Sequence, residues 1–530
     1  MRDKCRKSTV VNLGFWVLAG QLSILPRIAS AGVTLITHGL NGDTDGWVTG
    51  MATNIPSYYR FLGTNFTCYK MYFVPSGAGY NLTAARVGGG QPLTTESGEI
   101  IIKLDWRQLA DGNSYNTYQV ASAVLPALLS TNFISELGGH ALAEFPLHLI
   151  GHSRGGSLIC ELSRLLGTNG VWVDHLTTMD PHPLNNDGFN LDSFLYSAVD
   201  APARTYANVL FHDNDWQHLD FFTYGEPVGG AYVRQLTTLG GGYSSGHSDA
   251  HLWYHGSIDL RNPATDSEAT ITTSERNTWW KTYEAQGAKA GFYYSLIGGG
   301  NRLSSDQPAG PGFPAIREGF NQWWDLGAGT TNNRTPLTAN NGNWPSLIKF
   351  DRLETNAVTQ GHSTAIKYFF QWAQPTNLAQ SVTFYLDDDF NPLNGNESLV
   401  GQVGVGGTTA ADVYYQTVAL ALNPTNASPG YHALLAKISG GGRSRFLYAP
   451  QLLEVLAAPS PALRIALLSL TQFRITISGE IGQTLILEAS PDLASWQPLA
   501  TSTLTGTNWN FTNTVSNLAP HQFYRARVGP

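Results

Sequence analysis

Cysteine and charged residues are both scarce in this sequence of 530 residues. Three cysteines are too few for a fold held together by several disulfides, and a charged fraction of only 13% argues against a disordered, self-repelling chain. Hydrophobic residues make up 42%, and the 56 glycines and 14 tryptophans are typical of folded, turn-rich domains. Because one hydrophobic core does not organise a chain of this length, we expect about three units.

The first 31 residues have the form of a secretion signal. Four basic residues precede the apolar run Val10–Leu22, and Ala29-Ser30-Ala31 matches the small-x-small pattern of a signal-peptidase site. A membrane anchor is the alternative, but Asn12 and Gln21 interrupt the run, which is shorter than the roughly 20 residues that a span needs. We therefore expect cleavage near Ala31 and a secreted, extracellular protein.

Loss of that segment would make the chain more acidic. It removes five basic residues and one acidic residue, which changes the formal net charge from −8 to −12. The net charge of such a chain does not attract it to nucleic acid or anionic membranes, so we expect no nucleic-acid partner. Cys68 and Cys160 would remain, enough for one disulfide, but Cys160 lies on an apolar helix pattern that favours a buried, inert thiol.

Residues 32–262 alternate short β-branched runs with helical stretches, which is typical of βα units on a mostly parallel sheet. Helices are predicted over Tyr118–Leu129 and Ser157–Leu166, where leucines form one apolar stripe. The predicted strands are Val33–Thr37, Ile100–Leu104, Leu147–Ile150, Leu176–Met179 and Val209–His212. We expect a doubly wound α/β catalytic domain over these residues.

The rest of the chain has a different character. Residues 263–342 carry aromatic pairs between glycine- and proline-rich breaks, which we interpret as an extension packed on the catalytic domain. Strands separated by Gly, Asn and Pro turns predict an antiparallel β-sandwich over residues 343–457. After the joint Ala457–Pro461, residues 462–530 predict a second, smaller all-β sandwich.

The strongest chemical signal is the turn after the strand Leu147–Ile150. The sequence Gly151-His152-Ser153-Arg154-Gly155 has the G-x-S-x-G form and leads into a helix pattern, which is the context that a nucleophile elbow requires. Only glycine tolerates the crowding at its two ends, and the turn lifts the Ser153 hydroxyl to a helix N-terminus that favours developing negative charge. We predict that Ser153 is the nucleophile of a serine hydrolase, which needs no cofactor and no metal.

A tetrahedral intermediate needs hydrogen-bond donors aimed at its oxyanion. The backbone N–H of Arg154 provides one by position. The run His38-Gly39-Leu40 follows the strand Val33–Thr37 and has the arrangement found at this place in esterases and lipases, which assigns the second donor to the N–H of Leu40. We expect His38 to orient this loop rather than to transfer a proton.

Serine also needs a histidine base, and the histidine needs an acid that fixes its tautomer. Asp180 ends the strand after the elbow, whereas Asp213 and Asp215 end the next strand and are the alternative acids. Downstream, His247 and His251 lie at the start of a predicted helix. A catalytic histidine belongs on the loop after the last strand, which favours His247 as the base, and His251, one turn further along, is the reserve. The residues alone leave the choice of acid open.

Four segments carry a resemblance to a known family: Leu104–Trp106, Ile150–Ser153, Thr178–Pro181 and Asn208–Asp213. Over roughly residues 33 to 260 the chain resembles the lipase branch of the α/β-hydrolases, specifically the pancreatic-type triglyceride lipases. The resemblance implies the α/β-hydrolase fold, places the acid at Asp180, and carries the oxyanion role to Leu40 and Arg154.

The chain departs from that family in several places. Arg154 stands where those lipases usually have Leu, the cysteine-pinned lid is absent, and the aromatic extension has no counterpart. Residues 343–457 are similar to immunoglobulin-like modules appended to secreted bacterial proteins, and residues 462–530 look like a fibronectin-type sandwich. These likenesses imply a fold and no chemistry.

The run Asp387–Glu397 collects oxygen ligands of the kind that hard cations prefer. An EF-type loop needs Gly at its sixth place and Glu at its twelfth, and neither falls there when Asp387 is counted first. We therefore expect a polar hairpin.

Taken together, the sequence predicts a secreted, lipase- or esterase-like hydrolase that acts on a small-molecule or lipid ester through an acyl-enzyme. Ser153 attacks, His247 moves the proton and Asp180 orients His247. The C-terminal β modules are candidates for attachment to a surface or extracellular matrix. Two alternatives stay open: an amidase or thioesterase with the same triad, and a non-catalytic binding or adhesion protein with a degenerate hydrolase domain.

Overall fold

The computed structural model describes residues 32–58, 66–95, 97–188, 192–259, 264–280, 291–295, 334–337, 344–345, 347–352, 357–371, 380–405, 413–422, 426–449, 452–514 and 522–529. The predicted secretion signal and most of the predicted aromatic extension lie outside these residues. None of the described helices combines the length and the apolarity that crossing a membrane requires.

A mostly parallel sheet of eight strands forms the N-terminal unit. Its strands are β1 (Val33–Thr37), β2 (Thr67–Ser76), β3 (Gly79–Gly89), β4 (Ile100–Asp105), β5 (Leu147–His152), β6 (Val173–Met179), β7 (Val209–Trp216) and β8 (Tyr232–Gln235). They lie in the order β3-β2-β4-β1-β5-β6-β7-β8, and all neighbours are parallel except the β2–β3 hairpin at one edge. The five predicted strands form the centre of the sheet, so the prediction of a mostly parallel α/β domain is confirmed.

Helices cover both faces of this sheet. They are α1 (Trp47–Tyr58), α2 (Thr117–Leu129), α3 (Arg154–Thr168), α4 (Gly246–Ile258) and α5 (Thr273–Trp279). Successive side chains of a strand point to opposite faces, and in β1 Leu35 joins the core shared with α2 and α3, whereas Ile36 joins the core shared with α1 and α4. The two predicted helices are confirmed as α2 and α3, and α3 begins earlier than predicted, directly after Ser153.

Two β units follow. The strands of the first are β9 (Leu347–Arg352), β10 (Ala357–Thr359), β11 (Ser363–Gln371), β12 (Gln380–Asp387), β13 (Ser398–Val405), β14 (Val413–Ala421), β15 (Gly430–Gly440), β16 (Arg443–Tyr448) and β17 (Leu453–Leu456). One sheet has the order β10-β17-β15-β12-β13 with β16 beside β15, and the other has the order β14-β11-β9. Ile366 of β11 and Phe384 of β12 belong to one core, so the two sheets share an interior.

The last unit is smaller. Its strands are β18 (Ala462–Leu467), β19 (Gln472–Ser478), β20 (Thr484–Ser490), β21 (Gln497–Thr503), β22 (Asn508–Thr514) and β23 (Phe523–Val528). They form two three-stranded sheets, β18-β19-β22 and β21-β20-β23. Ile475, Ile477, Leu485 and Leu487 form the fully buried centre between them.

The first β unit packs on the α/β domain. Phe446 of β16 stacks on Phe145 at a centroid distance of 5.4 Å. The polar run Asp387–Glu397 joins the antiparallel strands β12 and β13, as the sequence predicts. Within it the side chain of Asn391 donates to the carbonyl oxygens of Pro92 and Thr95, so this hairpin contacts the α/β domain.

The described start of the aromatic extension packs against α4. Trp279 and Trp280 are buried, and Trp280 stacks on Trp253 of α4 at 5.7 Å with an interplanar angle of 13°. The later pair Trp323-Trp324 lies outside the described residues. The part of the extension that the structure describes therefore has a packing role.

Cys68 and Cys160 are both free and buried. Burial raises the pKa of the Cys68 thiol to about 11 and that of the Cys160 thiol to about 12. Since the thiolate is the reactive form, both thiols are inert at neutral pH. The inert thiol predicted at Cys160 is present, and the disulfide that the count would allow is not formed.

Candidate active site

Ser153 lies on a tight turn between β5 and α3. Its φ is +57° and its ψ is −127°, a left-handed backbone that non-glycine residues rarely adopt. A Cβ added at Gly151 would come within 2.4 Å of the Gly155 carbonyl oxygen, and one added at Gly155 within 2.4 Å of the His38 carbonyl oxygen. Glycine is therefore required at both positions, for the steric reason that the sequence motif implies.

Asp180 and His247 form a close pair. Asp180 is fully buried directly after β6, and its Oδ2 accepts a hydrogen bond from Nδ1 of His247 at 2.6 Å. Oδ1 of Asp180 also accepts from the backbone N–H groups of Gln217 (2.9 Å) and Gly225 (2.7 Å), and Oδ2 accepts from the Gln217 side-chain amide (2.7 Å). These donors fix the carboxylate in one orientation toward the imidazole. Sequence reasoning did not identify Gln217, because a single glutamine carries no local signal.

His247 lies in the first turn of α4, where the sequence predicts the start of a helix. The side chain of Ser245 accepts from the Ser248 N–H and caps the helix. The ring of His152 packs at 4.5 Å from that of His247, and Nε2 of His152 donates to the His247 carbonyl oxygen at 2.7 Å. The residue that precedes the predicted nucleophile therefore also supports the turn that carries the predicted base.

A cavity of about 540 Å³ opens at the carboxyl ends of the central strands. Ser153, His247, Leu40, Arg154 and His251 all line it. The structure thus brings together the predicted nucleophile, the predicted base, the reserve base and both residues whose amides are predicted to bind the oxyanion. The volume falls within the range of small-molecule pockets, about 300–1,000 Å³.

The loop after β1 lies directly against the Ser153 side chain. A Cβ added at Gly39 would come within 2.7 Å of the Ser153 Cβ and 3.1 Å of its Oγ. His38 holds this loop in place: Nδ1 donates to the Gly39 carbonyl oxygen at 2.9 Å, Nε2 accepts from the Trp106 N–H at 3.2 Å, and its ring stacks on Trp106. Both ring nitrogens are engaged, which agrees with the predicted orienting role of His38.

The Arg154 side chain is fully buried and is paired with Asp200. Its Nε donates to Asp200 Oδ2 at 2.6 Å, and one terminal nitrogen donates to Asp200 Oδ1 at 2.9 Å. The guanidinium also lies over the Trp106 ring at 5.1 Å. Arg154 therefore anchors the start of α3 through its side chain, while it lines the cavity beside Ser153.

The two alternative acids have other partners. Asp213 accepts from Nε2 of His175 at 2.6 Å and from the Thr177 hydroxyl at 2.5 Å, inside the sheet. Asp215 lies 3.8 Å from the guanidinium of Arg234. Both belong to β7 and neither contacts His247, so the geometry favours Asp180 as the acid.

The reserve base His251 lies one turn further along α4. Its ring stacks on Trp47 at 4.5 Å, and burial holds the pKa of its imidazole well below its usual value. Its nearest described carboxylate is that of Asp266, at 4.0 Å. His251 thus lines the cavity as a neutral, packed ring, whereas His247 has the carboxylate partner that a base needs.

His182 is a site residue that the sequence analysis did not identify. Its Nδ1 lies 2.8 Å from Asp187 and its Nε2 lies 3.5 Å from Asp192, while its ring centroid is 6.3 Å from that of His247. The ligand atoms of these three residues all lie within 4.8 Å of one another, a spacing that a metal ion could use. Because the two carboxylates contact opposite ring nitrogens, an imidazolium that bridges them accounts for the cluster by itself.

Comparisons with known proteins add little to this geometry. No family model and no curated protein matches the chain. Solved structures to which it is similar include the C-terminal domain of wzt (9% identity over 22% of this chain and 76% of that chain, TM-score 0.18). They also include superoxide reductase (neelaredoxin) from Ignicoccus hospitalis (11%, 21% and 82%, TM-score 0.15) and the human OSCAR ligand-binding domain (14%, 32% and 81%, TM-score 0.12). At these TM-scores the likenesses carry no argument about fold or function.

Proposed function

We propose that this chain is a serine hydrolase of the α/β-hydrolase fold that cleaves carboxylic esters. The observation that carries the proposal is the 2.6 Å hydrogen bond between buried Asp180 and His247, together with the fact that His247 and Ser153 line the same cavity. The left-handed φ of Ser153 and its place directly before α3 suit a nucleophile whose attack generates negative charge. The chain order of serine, aspartate and histidine is also the order of this fold.

In the proposed reaction, the Ser153 hydroxyl attacks the acyl carbon and His247 accepts the hydroxyl proton. Since Nδ1 of His247 donates to Asp180, Nε2 is the nitrogen that accepts the proton. The backbone N–H groups of Leu40 and Arg154 hold the oxyanion, and such a donor lowers the barrier by about 3 kcal/mol. His247 then protonates the leaving alcohol, and a water molecule hydrolyses the acyl-enzyme by the same route.

The surface around the cavity favours esters with an apolar acyl group. Leu195 and Phe222 line the cavity and yet are 70% and 61% exposed, and their chain neighbours Phe194 and Phe221 are 82% and 78% exposed. Exposed apolar groups that are contiguous with a pocket mark a contact surface for an apolar ligand. We therefore place lipase- or esterase-like substrates ahead of polar ones.

Secretion and attachment are part of the same proposal. The signal pattern that ends at Ala31 supports export, and the two C-terminal β units are candidates for attachment to a surface or matrix. Expression of the full chain in a secreting host tests the first point, because N-terminal sequencing of the secreted protein should begin close to Gly32. Recovery of an uncleaved N-terminus in the membrane fraction would contradict it.

Covalent labelling tests the catalytic proposal directly. The purified wild type should react with a fluorophosphonate probe and hydrolyse p-nitrophenyl esters, and Ser153→Ala should do neither. Labelling that survives the substitution would exclude Ser153 as the nucleophile. A wild type that neither reacts nor hydrolyses would favour the non-catalytic binding protein, and faster turnover of matched anilides or thioesters would favour the amidase or thioesterase.

A further inference from the structure

We propose that Gln217 and Asp220 are positioning residues which hold the acid and the base of the site in register. Both lie on the loop that follows β7, here called the 217–220 loop. The inference rests on the proposed function and adds to it a connection between Asp180 and His247 besides their own hydrogen bond. Neither residue is among the described residues that line the cavity.

Gln217 holds the acid. Its side chain is fully buried, and its backbone N–H and side-chain amide donate to the two different oxygens of Asp180, at 2.9 and 2.7 Å. The same amide group donates to the Thr223 carbonyl oxygen at 2.9 Å. A carboxylate gripped at both oxygens by one residue cannot rotate about its terminal torsion without breaking a buried hydrogen bond.

Asp220 holds the base. Its Oδ2 accepts from the backbone N–H of His247 at 2.6 Å, and its Oδ1 accepts from the backbone N–H of Gly246 at 3.2 Å. These are the first two residues of α4, whose amides have no partner within the helix. A carboxylate at this end of a helix is favourable both as a hydrogen-bond acceptor and toward the helix dipole.

The Gln217 side chain connects the hydrogen bonds to Asp180 with those that Asp220 accepts from α4. Its Oε1 accepts from the N–H groups of Leu219 and Asp220, at 2.6 and 3.0 Å, which fixes the turn of the 217–220 loop. A Cβ added at Gly246 would come within 3.1 Å of that same oxygen, so the start of α4 packs directly on Gln217. The distance between acid and base is therefore set by one short segment, and displacing it moves one relative to the other.

Substitutions of Gln217 test whether this residue positions Asp180. Gln217→Leu removes the donor to Asp180 and the acceptor for the loop, and we expect kcat on p-nitrophenyl esters to fall about 10- to 100-fold with KM within twofold of wild type. Gln217→Glu keeps an acceptor for the loop but loses the donor, so its kcat should fall as well. Gln235→Leu, at an exposed position on β8, is the matched control and should retain wild-type kinetics.

Substitutions of Asp220 test whether this residue positions His247, because a conservative variant should restore what the alanine variant loses. Asp220→Ala should lower kcat with little change in KM, and Asp220→Asn should recover much of it, because asparagine is also a good acceptor at a helix N-terminus. If Gln217→Leu does not fold, Gln217→Glu and the two Asp220 variants still test the positioning roles.

A wild-type kcat in both Gln217→Glu and Asp220→Ala would overturn the inference. Variants that change kcat and KM equally would also overturn it, and so would equal losses of kcat in Asp220→Ala and Asp220→Asn. Fluorophosphonate labelling distinguishes a failure of the positioning role from a failure of the proposed function. Labelled wild type, unlabelled Ser153→Ala and a fully active Gln217→Glu would overturn the positioning role alone, whereas a wild type without labelling or turnover would overturn the proposed function and this inference together.

Discussion

His182 is a buried charge at the edge of the candidate site. Burial opposes its positive charge, but the carboxylates of Asp187 and Asp192 outweigh that effect and raise the pKa of the imidazole to about 10. Its backbone N–H donates to the Ser153 carbonyl oxygen at 3.2 Å, so the bridge also fixes the segment that passes under the nucleophile. Because Leu195 follows Asp192 closely, His182 also anchors one side of the cavity wall.

The His182 bridge predicts a pH-dependent contribution to stability. The folded pKa of about 10 lies above the unfolded value of about 6.5, so the stabilisation is complete below about pH 6.5 and is lost as pH rises through 10. We expect His182→Gln to lower the melting temperature by several degrees at pH 6, with a gap to wild type that narrows toward pH 10. Thermal melts at pH 6, 8 and 10 measure this, and His362→Gln controls for loss of an exposed imidazole. A gap that stays constant over this pH range would contradict the bridge.

Residues of the site differ in how far the sequence could predict them. Ser153 could be predicted because a strand, two glycines and a helix pattern surround it within ten positions. The residues alone narrowed the acid to Asp180, Asp213 and Asp215, and only the family resemblance singled out Asp180, since the choice depends on how the strands lie side by side. Gln217 acquires its role only when folding brings it to an acid 37 positions away, and nothing local marks it beforehand.

At the scale of the elements, the loop between β1 and α1 packs closely against the turn that carries Ser153. Gly39 packs against the Ser153 side chain, and Gly155 packs against the His38 carbonyl oxygen, so this loop and the Ser153 turn are mutually fitted. Trp106 supports the loop from below, because its indole N–H donates to the His38 carbonyl oxygen at 3.0 Å. The predicted oxyanion donors at Leu40 and Arg154 therefore sit on two elements that cannot shift independently.

This fit predicts a large effect from one methyl group. Gly39→Ala would place a Cβ 2.7 Å from the Ser153 Cβ, so the loop must withdraw and take the Leu40 amide with it. We expect kcat to fall about 100- to 1,000-fold, as for loss of one oxyanion donor, with unchanged far-UV circular dichroism. Gly404→Ala, where an added Cβ meets nothing within 4 Å, is the control. Activity within twofold of wild type would show that the loop is not fitted to Ser153 in this way.

The helices and strands that could be predicted are those whose apolar residues follow one clear local pattern. The five central strands have apolar, β-branched runs because their neighbours bury them on both faces, and that pattern is visible locally. β3 was missed because it forms the sheet edge, where it is largely exposed and carries polar residues. An edge strand is defined by its neighbour rather than by its own composition.

At the scale of the whole molecule, a buried ion pair joins the α/β domain to the first β unit. Arg445 of β16 donates from one terminal nitrogen to both oxygens of Asp174 in β6, at 2.7 and 2.6 Å, and both side chains are buried. Asp174 also accepts from the N–H of Leu147 at the start of β5, at 2.8 Å. The first β unit therefore contacts the α/β domain at the end of the sheet opposite the candidate site.

Breaking this pair should separate stability from catalysis. Arg445→Met leaves the Asp174 carboxylate buried without its cation, which costs about 3–5 kcal/mol, so we expect a clear fall in the denaturation midpoint. Asp174 and Asp180 stand at opposite ends of β6, six residues or roughly 20 Å apart, so kcat of the folded variant should match wild type. Arg464→Met, at an exposed position on β18, controls for loss of a surface arginine. An unchanged midpoint would mean that the β unit only rests on the domain, and a loss of kcat at full stability would mean that the ion pair reaches the site through β6.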